Sequence, residues 1–359
     1  MPMIDSDIQD LVNLTRGDEG AGKLENLAMS YTHYPIVGTM LGPDKVKIES
    51  GYRIERNVMT RLPDAAYMSS LYGTDQVVAE DLTNKVIVEF RQATTGYMFD
   101  ENEIAPNQGA ARIYDLMKSK RAGADGAMIE LLEGKAWATP SSSSDKLEFY
   151  GIPYWVVKNT STGFNGGAPS GHTTVGNLTP GTVNNWKNYT VTYTTVDKTD
   201  LIPKLRTAIR KCDFKQVLDI ESYRKMKKTY RLYVNESTVA SFETVGEAQN
   251  ENLGRDVAPY DGGLLNKRGI TGVAEFDGDL TFRRRPIIYA PRLDNDTQNP
   301  IYGLDHSSIY FHVEAKCNMK ETPAIRHPSK HTVWQVFKDL RGQFCCFDRR
   351  SQFVAYVNS

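Results

Sequence analysis

The chain is poor in the residues on which chemistry is most often built. Its 359 residues include only four cysteines and six histidines. Cys212, Cys317 and the adjacent Cys345 and Cys346 show no CxxC spacing, which argues against a zinc ribbon or a disulfide scaffold and describes the reduced thiols of an intracellular chain. In that setting the Asn-x-Ser/Thr triplets at Asn159 and Asn188 carry no glycan meaning. His327 and His331 have the i, i+4 spacing of a metal pair, but Pro328 lies between them and no glutamate follows the first, as H-E-x-x-H requires. No serine occupies a G-x-S-x-G elbow. Net charge is equally scarce: 43 Lys and Arg nearly cancel 44 Asp and Glu, a balance unsuited to neutralising many phosphates. No apolar run reaches the ~18 residues of a membrane span. The opening Met-Pro-Met-Ile-Asp-Ser-Asp has neither the basic leader nor the apolar run of a signal peptide.

What is present is a chain that is 40% apolar and long enough for about two domains of ~150 residues. In residues 1–44, Ile8, Leu11 and Val12 share one short helical face, and the rest of the segment reads as an extended arm. After Lys45 the pattern turns to period two, with Val46, Ile48, Ser50, Tyr52, Ile54, Arg56 and Val58 on one face. This predicts a single long strand, about 45 Å at ~3.4 Å per residue, whose return is Lys85 to Arg91. A hairpin of that length leaves its own globule, and its apolar face needs a second chain to cover it. From Asn107 to Glu133, Ile113, Met117, Ala124, Met128, Leu131 and Leu132 recur at helical spacing, with Gly134 as the expected stop.

Four serines, Ser141 to Ser144, then separate this helix from Tyr150-Gly-Ile-Pro-Tyr-Trp-Val-Val157, which reads as an apolar strand before a loop of Gly, Ser, Thr and Asn. Residues 188–196 alternate as a strand, and Leu201 to Cys212 as an amphipathic helix. From there to about Glu314 short strands alternate with a helix near Ser237–Glu247, a compact mixed insertion. The end of the chain, Gly342 to Val357, reads as a hairpin turning at Asp348–Ser351.

Two segments imitate the phosphate loop G-x-x-x-x-G-K-[ST]. Gly166 to Gly171 is followed by His172 and Thr173 and has no lysine and no helix after it; Gly17 to Gly22 is followed by Lys23 and Leu24, lacks the hydroxyl, and sets Asp18 and Glu19 where phosphate charge would lie. Neither supports nucleotide binding. Arg283 to Arg285 and Arg349–Arg350 abut strands without the long basic run of a nucleic-acid arm, and read as protein-interface or solvated residues. The Arg16-Gly-Asp18 triplet is too short to carry meaning.

The order of parts, together with Gly151-Ile-Pro-Tyr-Trp-Val, Gly163 to Gly167 and Asn185-Trp-Lys-Asn188, resembles the major capsid proteins of tailed bacteriophages, the Hong Kong 97 capsid fold. The resemblance covers most of the chain after residue 40. It implies an α+β fold divided into an N-terminal arm (1–44), an extended β-hairpin loop (45–99), a spine helix with the first part of a peripheral domain (100–199), an axial domain (200–314) and a return to the peripheral domain (315–359). It implies no enzymatic activity, cofactor or metal. The chain would assemble with itself into hexamers and pentamers of an icosahedral shell around double-stranded DNA, held non-specifically on the inner face. A portal, and a separate scaffold or decoration protein, would be its other partners. The location would be the virion, assembled in the host cytoplasm, with no membrane.

Under this resemblance the subunit contacts fall to Arg53, Arg56 and Arg61, pairing with carboxylates of a neighbour, to Tyr67, Met68, Leu71 and Tyr72, burying apolar area, and to Phe164, Gly166 and Gly167 in the glycine-rich loop. Two departures stand out. The segment before the excursion is too short for the cleavable scaffolding region of some members, and Met59 to Asp75, the tip, contains no lysine for the cross-link others make. Two alternatives remain open at this point: a hydrolase-like α+β enzyme with its site in 200–314, and a phage tail or tube protein.

Overall fold

The computed structural model describes residues 34–40, 46–49, 51–61, 68, 71, 81–104, 110–212, 230–253, 280–283 and 285–358. The segment read as an N-terminal arm lies outside these up to residue 33. The described chain opens with a short helix, α1 (Pro35–Met40), followed by β1 (Val46–Glu49) and β2 (Arg53–Met59). These replace the single strand expected from the alternation. The break falls at Gly51, whose φ of +133° is open to glycine and closed to most other residues. It sends β1 to pair in parallel with the later strand β11 (Ile309–Glu314), while β2 pairs antiparallel with β3 (Thr83–Glu89). The excursion is therefore shorter at its base than the sequence suggests. Much of its apolar face is not left for a neighbour: Ile54, Val86 and Val88 are buried in the chain's own core, while Tyr52 is 79% exposed.

β3 runs through Phe90 into β4 (Arg91–Asp100), and α2 (Glu101–Ile104) leads towards the long helix α3 (Ala110–Ala136). The predicted start at Asn107 lies outside the described residues, and Gly134 is inside the helix instead of beyond its end. Met117, Ala124, Met128 and Leu132 are buried as their spacing predicts, whereas Leu131 is 40% exposed. A fully buried carboxylate sits near the helix end. Glu133 accepts hydrogen bonds from the backbone N–H of Val37 (2.8 Å) and Ile36 (3.4 Å) and from Trp137 Nε1 (2.8 Å), so it caps α1 while burial pushes its pKa up.

α3 lies on one face of a six-stranded sheet. The spine of that sheet is β14 (Lys330–Cys346), flanked by β11, by β12 (Lys320–Glu321) and β13 (Ile325–His327), and by β4 along the other side. Tyr97, Phe99, Trp334 and Val336 pack against Met117 and Ala124 of the helix. Polar ties lock the same face: Lys338 Nζ meets Asp125 at 2.5 Å, and Tyr97 and Arg121 both hold Glu321.

The remaining elements are α4 (Ile152–Trp155), β5 (Gly163–Gly166), β6 (Asn188–Tyr193), α5 (Leu201–Cys212), β7 (Tyr230–Val234), α6 (Glu236–Leu253), β8 (Thr281–Phe282), β9 (Arg285–Tyr289), a 3-10 turn at Pro291–Asn295, β10 (Ile301–Asp305) and β15 (Phe353–Val357). Seven of them form a second sheet in the order β5-β6-β15-β10-β7-β9-β8, with α5 packing its apolar stripe of Leu201, Leu205, Ala208, Ile209 and Cys212 beneath it. Asp200 secures the start of α5, accepting the N–H of Thr194 (2.7 Å) and Thr195 (3.1 Å) and pairing with Lys204.

Three expectations change here. The apolar run at 150–157 is a single helical turn, α4, in whose first turn Pro153 is fixed at a helical φ and gives up an N–H that would have no partner within the helix. The C-terminal stretch is no hairpin: β14 ends in one sheet and β15 lies in the other, parallel to β6 and antiparallel to β10. The stretch from 200 to 314 does not close on itself either, since its last strand, β11, belongs to the six-stranded sheet, while β6 and β15 sit among β7, β9 and β10.

Candidate functional site

The turn between β14 and β15 carries a buried arginine whose guanidinium makes five hydrogen bonds to three other segments of the chain. Asp348 accepts the N–H groups of Arg350 (3.1 Å) and Ser351 (3.3 Å), which fixes the turn and directs Arg349 inward, where it is 1% exposed. Its Nε donates to the Trp155 carbonyl (2.7 Å), Nη1 to that of Trp186 (2.8 Å), and Nη2 to the carbonyls of Gly167 (2.7 Å) and Gly166 (3.2 Å) and to Asn188 Oδ1 (3.2 Å). The Trp186 ring lies beside it. Burial lowers the guanidinium pKa to about 10, so it is still charged at neutral pH, with oxygen dipoles in place of a counter-ion.

Asn188 is a second knot in the same place. It is fully buried, its Oδ1 accepting Val157 N (3.0 Å) and its Nδ2 donating to Val157 O (3.0 Å). A Cβ on Gly166 would stand 1.9 Å from Asn188 Oδ1, so only glycine fits there. Gly151 is similarly confined, a Cβ there meeting the Ala138 carbonyl at 2.2 Å at the end of α3. The three segments that carried the family resemblance, at 151–156, 163–167 and 185–188, thus converge on one buried cation of the same chain.

Gly166 is buried and its carbonyl is taken by Arg349 within the chain, so it is not presented to a neighbour. Phe164 is half-buried against Tyr189, with the Arg350 guanidinium 4.3 Å above its ring. Arg349, expected at an interface or in solvent, is core. No helix follows the loop, Gly171 accepts Ser143 N, and His172 Nε2 lies 2.9 Å from the Pro140 carbonyl. The other phosphate-loop imitation, 17–24, lies outside the described residues.

The excursion is the exposed part. Arg53 and Lys85 both pair with Glu55 of the same hairpin, and these two bonds, Lys85 first, hold the Glu55 pKa below its ordinary value. Arg56 lies 5.4 Å from the Phe347 ring. Arg61 follows at the hairpin's end, next to Thr60, whose carbonyl accepts Asn185 Nδ2 at 2.8 Å. Beyond it, Met68 is 100% and Leu71 89% exposed. Tyr67 and Tyr72 lie outside the described residues. The sequence-predicted contact residues therefore divide into two places: an interior cradle with Phe164, Gly166 and Gly167, and an outlying hairpin with Arg53, Arg56, Arg61, Met68 and Leu71.

Among the described residues no group of three or more His, Cys, Asp or Glu side chains is placed to hold a metal, and all four cysteines are free thiols. No described helix is long and apolar enough to cross a membrane. An open cleft of about 600 Å³ is lined by Trp137, Val157, Lys158, Arg292, Asp296 and Tyr302, but Lys158 is tied to Asp296 and Gln298, and the site offers no paired acid and base. Sequence reasoning missed Arg349, Glu133 and Gln343, the last accepting Tyr150 N at 2.8 Å. Glu133 and Gln343 each adjoin an apolar stretch, which was their only local sign, whereas Arg349, between Asp348 and Arg350, gave none.

No protein-family model and no curated protein matches the chain by sequence. Solved structures do match it, along almost its whole length. A chain of the cyanophage A-1(L) capsid asymmetric unit superposes with a TM-score of 0.61 at 13% identity, covering 96% of this chain and 98% of that one. A chain from the capsid of a native GTA particle gives 0.54 at 9% identity, covering 95% of each. A chain of the encapsulin complex from Synechococcus elongatus PCC 7942 gives 0.52 at 10% identity, covering 100% of this chain and 97% of that one. This mixed α+β chain shares its fold with those capsid chains.

Proposed function

We propose that this chain is the major capsid protein of a tailed bacteriophage, built on the Hong Kong 97 capsid fold and assembling with itself into the icosahedral shell around the phage's double-stranded DNA. The observation that carries this reading is the likeness to the cyanophage A-1(L) capsid chain over 96% of this chain and 98% of that one, with neither left with a large unmatched domain. The physical design supports it. The interior sets a buried arginine, asparagine and glutamate in hydrogen-bond networks that fix one rigid shape.

In this reading the hairpin of β2 and β3 (53–89) is the extended loop and α3 the spine helix, while the peripheral and axial regions share the seven-stranded sheet, to which 188–193, 230–305 and 353–357 all contribute strands. Tyr52, Met68 and Leu71 then have neighbours to cover them in the shell. Each contact is weak, and closure multiplies it. Its partners are copies of itself in hexamers and pentamers, a portal, a separate scaffold or decoration protein, and DNA on the inner face.

The test is expression of the chain, alone and with its phage's scaffold, followed by sedimentation and negative-stain microscopy. Closed particles or capsomers are expected. A monomer under every assembly condition overturns the reading, and particles that fill with a protein cargo and exclude DNA in infected cells transfer it to an encapsulin-like compartment.

A further inference from the structure

Among the described residues, β4 pairs along its whole length with β14 alone, Arg91 opposite Gly342 through Asp100 opposite Val333, without a register shift. Every second residue of such an edge strand turns its N–H and C=O away from its neighbour. An edge of this kind templates another strand unless charge, proline, a bulge or shortness guards it. The other edges are guarded. β1 has four residues, β8 and β12 two each and β13 three; β5 has an irregular register; β2 and β3 carry Arg53, Glu55, Arg56, Lys85 and Glu89. In β4 the run Gln92-Ala-Thr-Thr-Gly-Tyr-Met-Phe99 holds neither charge nor proline.

The face of this edge away from α3 carries polar Gln92, Thr94 and Asp339 at one end and an exposed apolar strip at the other. Met98 is 56%, Ile325 45% and Phe337 36% exposed, and they form a strip across β4, β13 and β14. Phe337 leans over Gly96, its ring carbon 3.0 Å from where a Cβ would stand.

We propose that β4 pairs antiparallel with β4 of a second copy about a twofold axis through Gly96, joining two six-stranded sheets into one. This deepens the shell reading, since it needs copies of the chain to meet. The strand is self-complementary in that register. Gln92, Thr94, Gly96, Met98 and Asp100 share the outer face, so the axis sets Gly96 against Gly96, Thr94 against Met98 and Gln92 against Asp100 of the second copy. Gln92, whose amide reaches Asp339 within its own chain as Thr94 does, comes opposite Asp100, the Thr94 methyl meets the thioether, and no like charges oppose. A slip of one residue turns each outer face against the helix side of its neighbour. Moving the axis to Thr95 sets the Asp100 carboxylate against buried Phe90. Glycine at the axis leaves room for the Phe337 rings of both copies, which closes the apolar strip across the joint. Lys120 Nζ, 3.2 Å from the Met98 carbonyl, swings aside as the second strand takes that position.

The experiment is oxidative cross-linking of the full chain carrying Thr94→Cys and Met98→Cys together, with each single variant as control. Opposed residues of an antiparallel pair lie about 4.5–5.5 Å apart at Cα, within reach of a disulfide. A non-reducing denaturing gel should show a band at twice the chain's mass for the double variant and monomer for each single one. Thr94→Lys, which leaves the helix-facing side intact, should weaken association about tenfold or more by placing a charge in the joint. Equal dimer from the single variants, or monomer from a double variant that still forms particles, overturns the pairing and leaves the shell reading standing. A cross-linked dimer from a chain that never forms shells keeps the pairing and removes the shell.

Discussion

Arg349 Nε donates to the carbonyl of Trp155 at 2.7 Å across 194 residues of chain, and this bond anchors a fork whose other arms reach Trp186, Gly166, Gly167 and Asn188. The first prediction follows from removing it. Arg349→Met leaves those oxygens without a donor in a dry site and should cost on the order of 3–5 kcal/mol. Arg349→Lys, with a point charge in place of a planar fork, should fall between. Urea unfolding of the soluble subunit measures both, and an unchanged midpoint for Arg349→Met removes the cradle's importance.

The two adjacent glycines of the loop should behave differently. Gly166→Ala drives a methyl into Asn188 Oδ1, 1.9 Å from the Cβ position, whereas at Gly167 the nearest atom, the Asn165 carbonyl oxygen, is 4.0 Å away. The first should destabilise by several kcal/mol or prevent folding, and the second should stay within about 1 kcal/mol of wild type. Thermal melts of the two variants side by side decide it; equal losses would show that the loop is not held against Asn188.

Asp200 sets an acid limit on α5. The bond to Lys204, then the Thr194 N–H, lower its pKa from 3.8 to about 2. A carboxyl depressed on folding contributes stability above its unfolded pKa and loses it as pH falls through the folded value, so this contribution fades between pH 3.8 and about 2. Asp200→Asn should be about 1 kcal/mol less stable at pH 7 and converge on wild type at the acid end. Denaturant titrations at several pH values, followed by circular dichroism, test this, and a constant gap between the two proteins contradicts it.

Particles of this chain should hold together without covalent links. The stretch from Met59 to Asp75 has no lysine, and Lys85, at the hairpin base, is committed to Glu55 at 2.6 Å. An isopeptide bond needs an amine already beside its acceptor. Boiled, reduced particles should run as monomer, and a ladder that survives this treatment would establish a nucleophile elsewhere.

How much of this was legible follows from what each pattern encodes. Period two over Val46–Val58 and Lys85–Arg91 and period 3.6 at 201–212 mark one buried face of a strand or helix, a local consequence of backbone geometry, and the structure has β1 and β2, β3 shifted two residues back, and α5 there. The same logic located α3 and missed its end, because Gly134 stays helical where packing holds it. The candidate site was half legible. Met68 and Leu71 are exposed as apolar residues of an excursion should be, but the glycine-rich loop looked outward on composition alone.

By itself the sequence determined where β2, β3, α3 and α5 lie and most of the residues that each buries, since hydrophobic spacing acts within a few residues of itself. Only the tertiary structure decided where the strands go. Gly51 divides one alternating run between two sheets, the Asp348–Ser351 turn carries the chain from one sheet to the other, and Arg349 becomes core. A guanidinium can be buried only where several oxygens converge on it. Those oxygens come from segments 161 to 194 residues away, a distance over which no local pattern in the chain speaks.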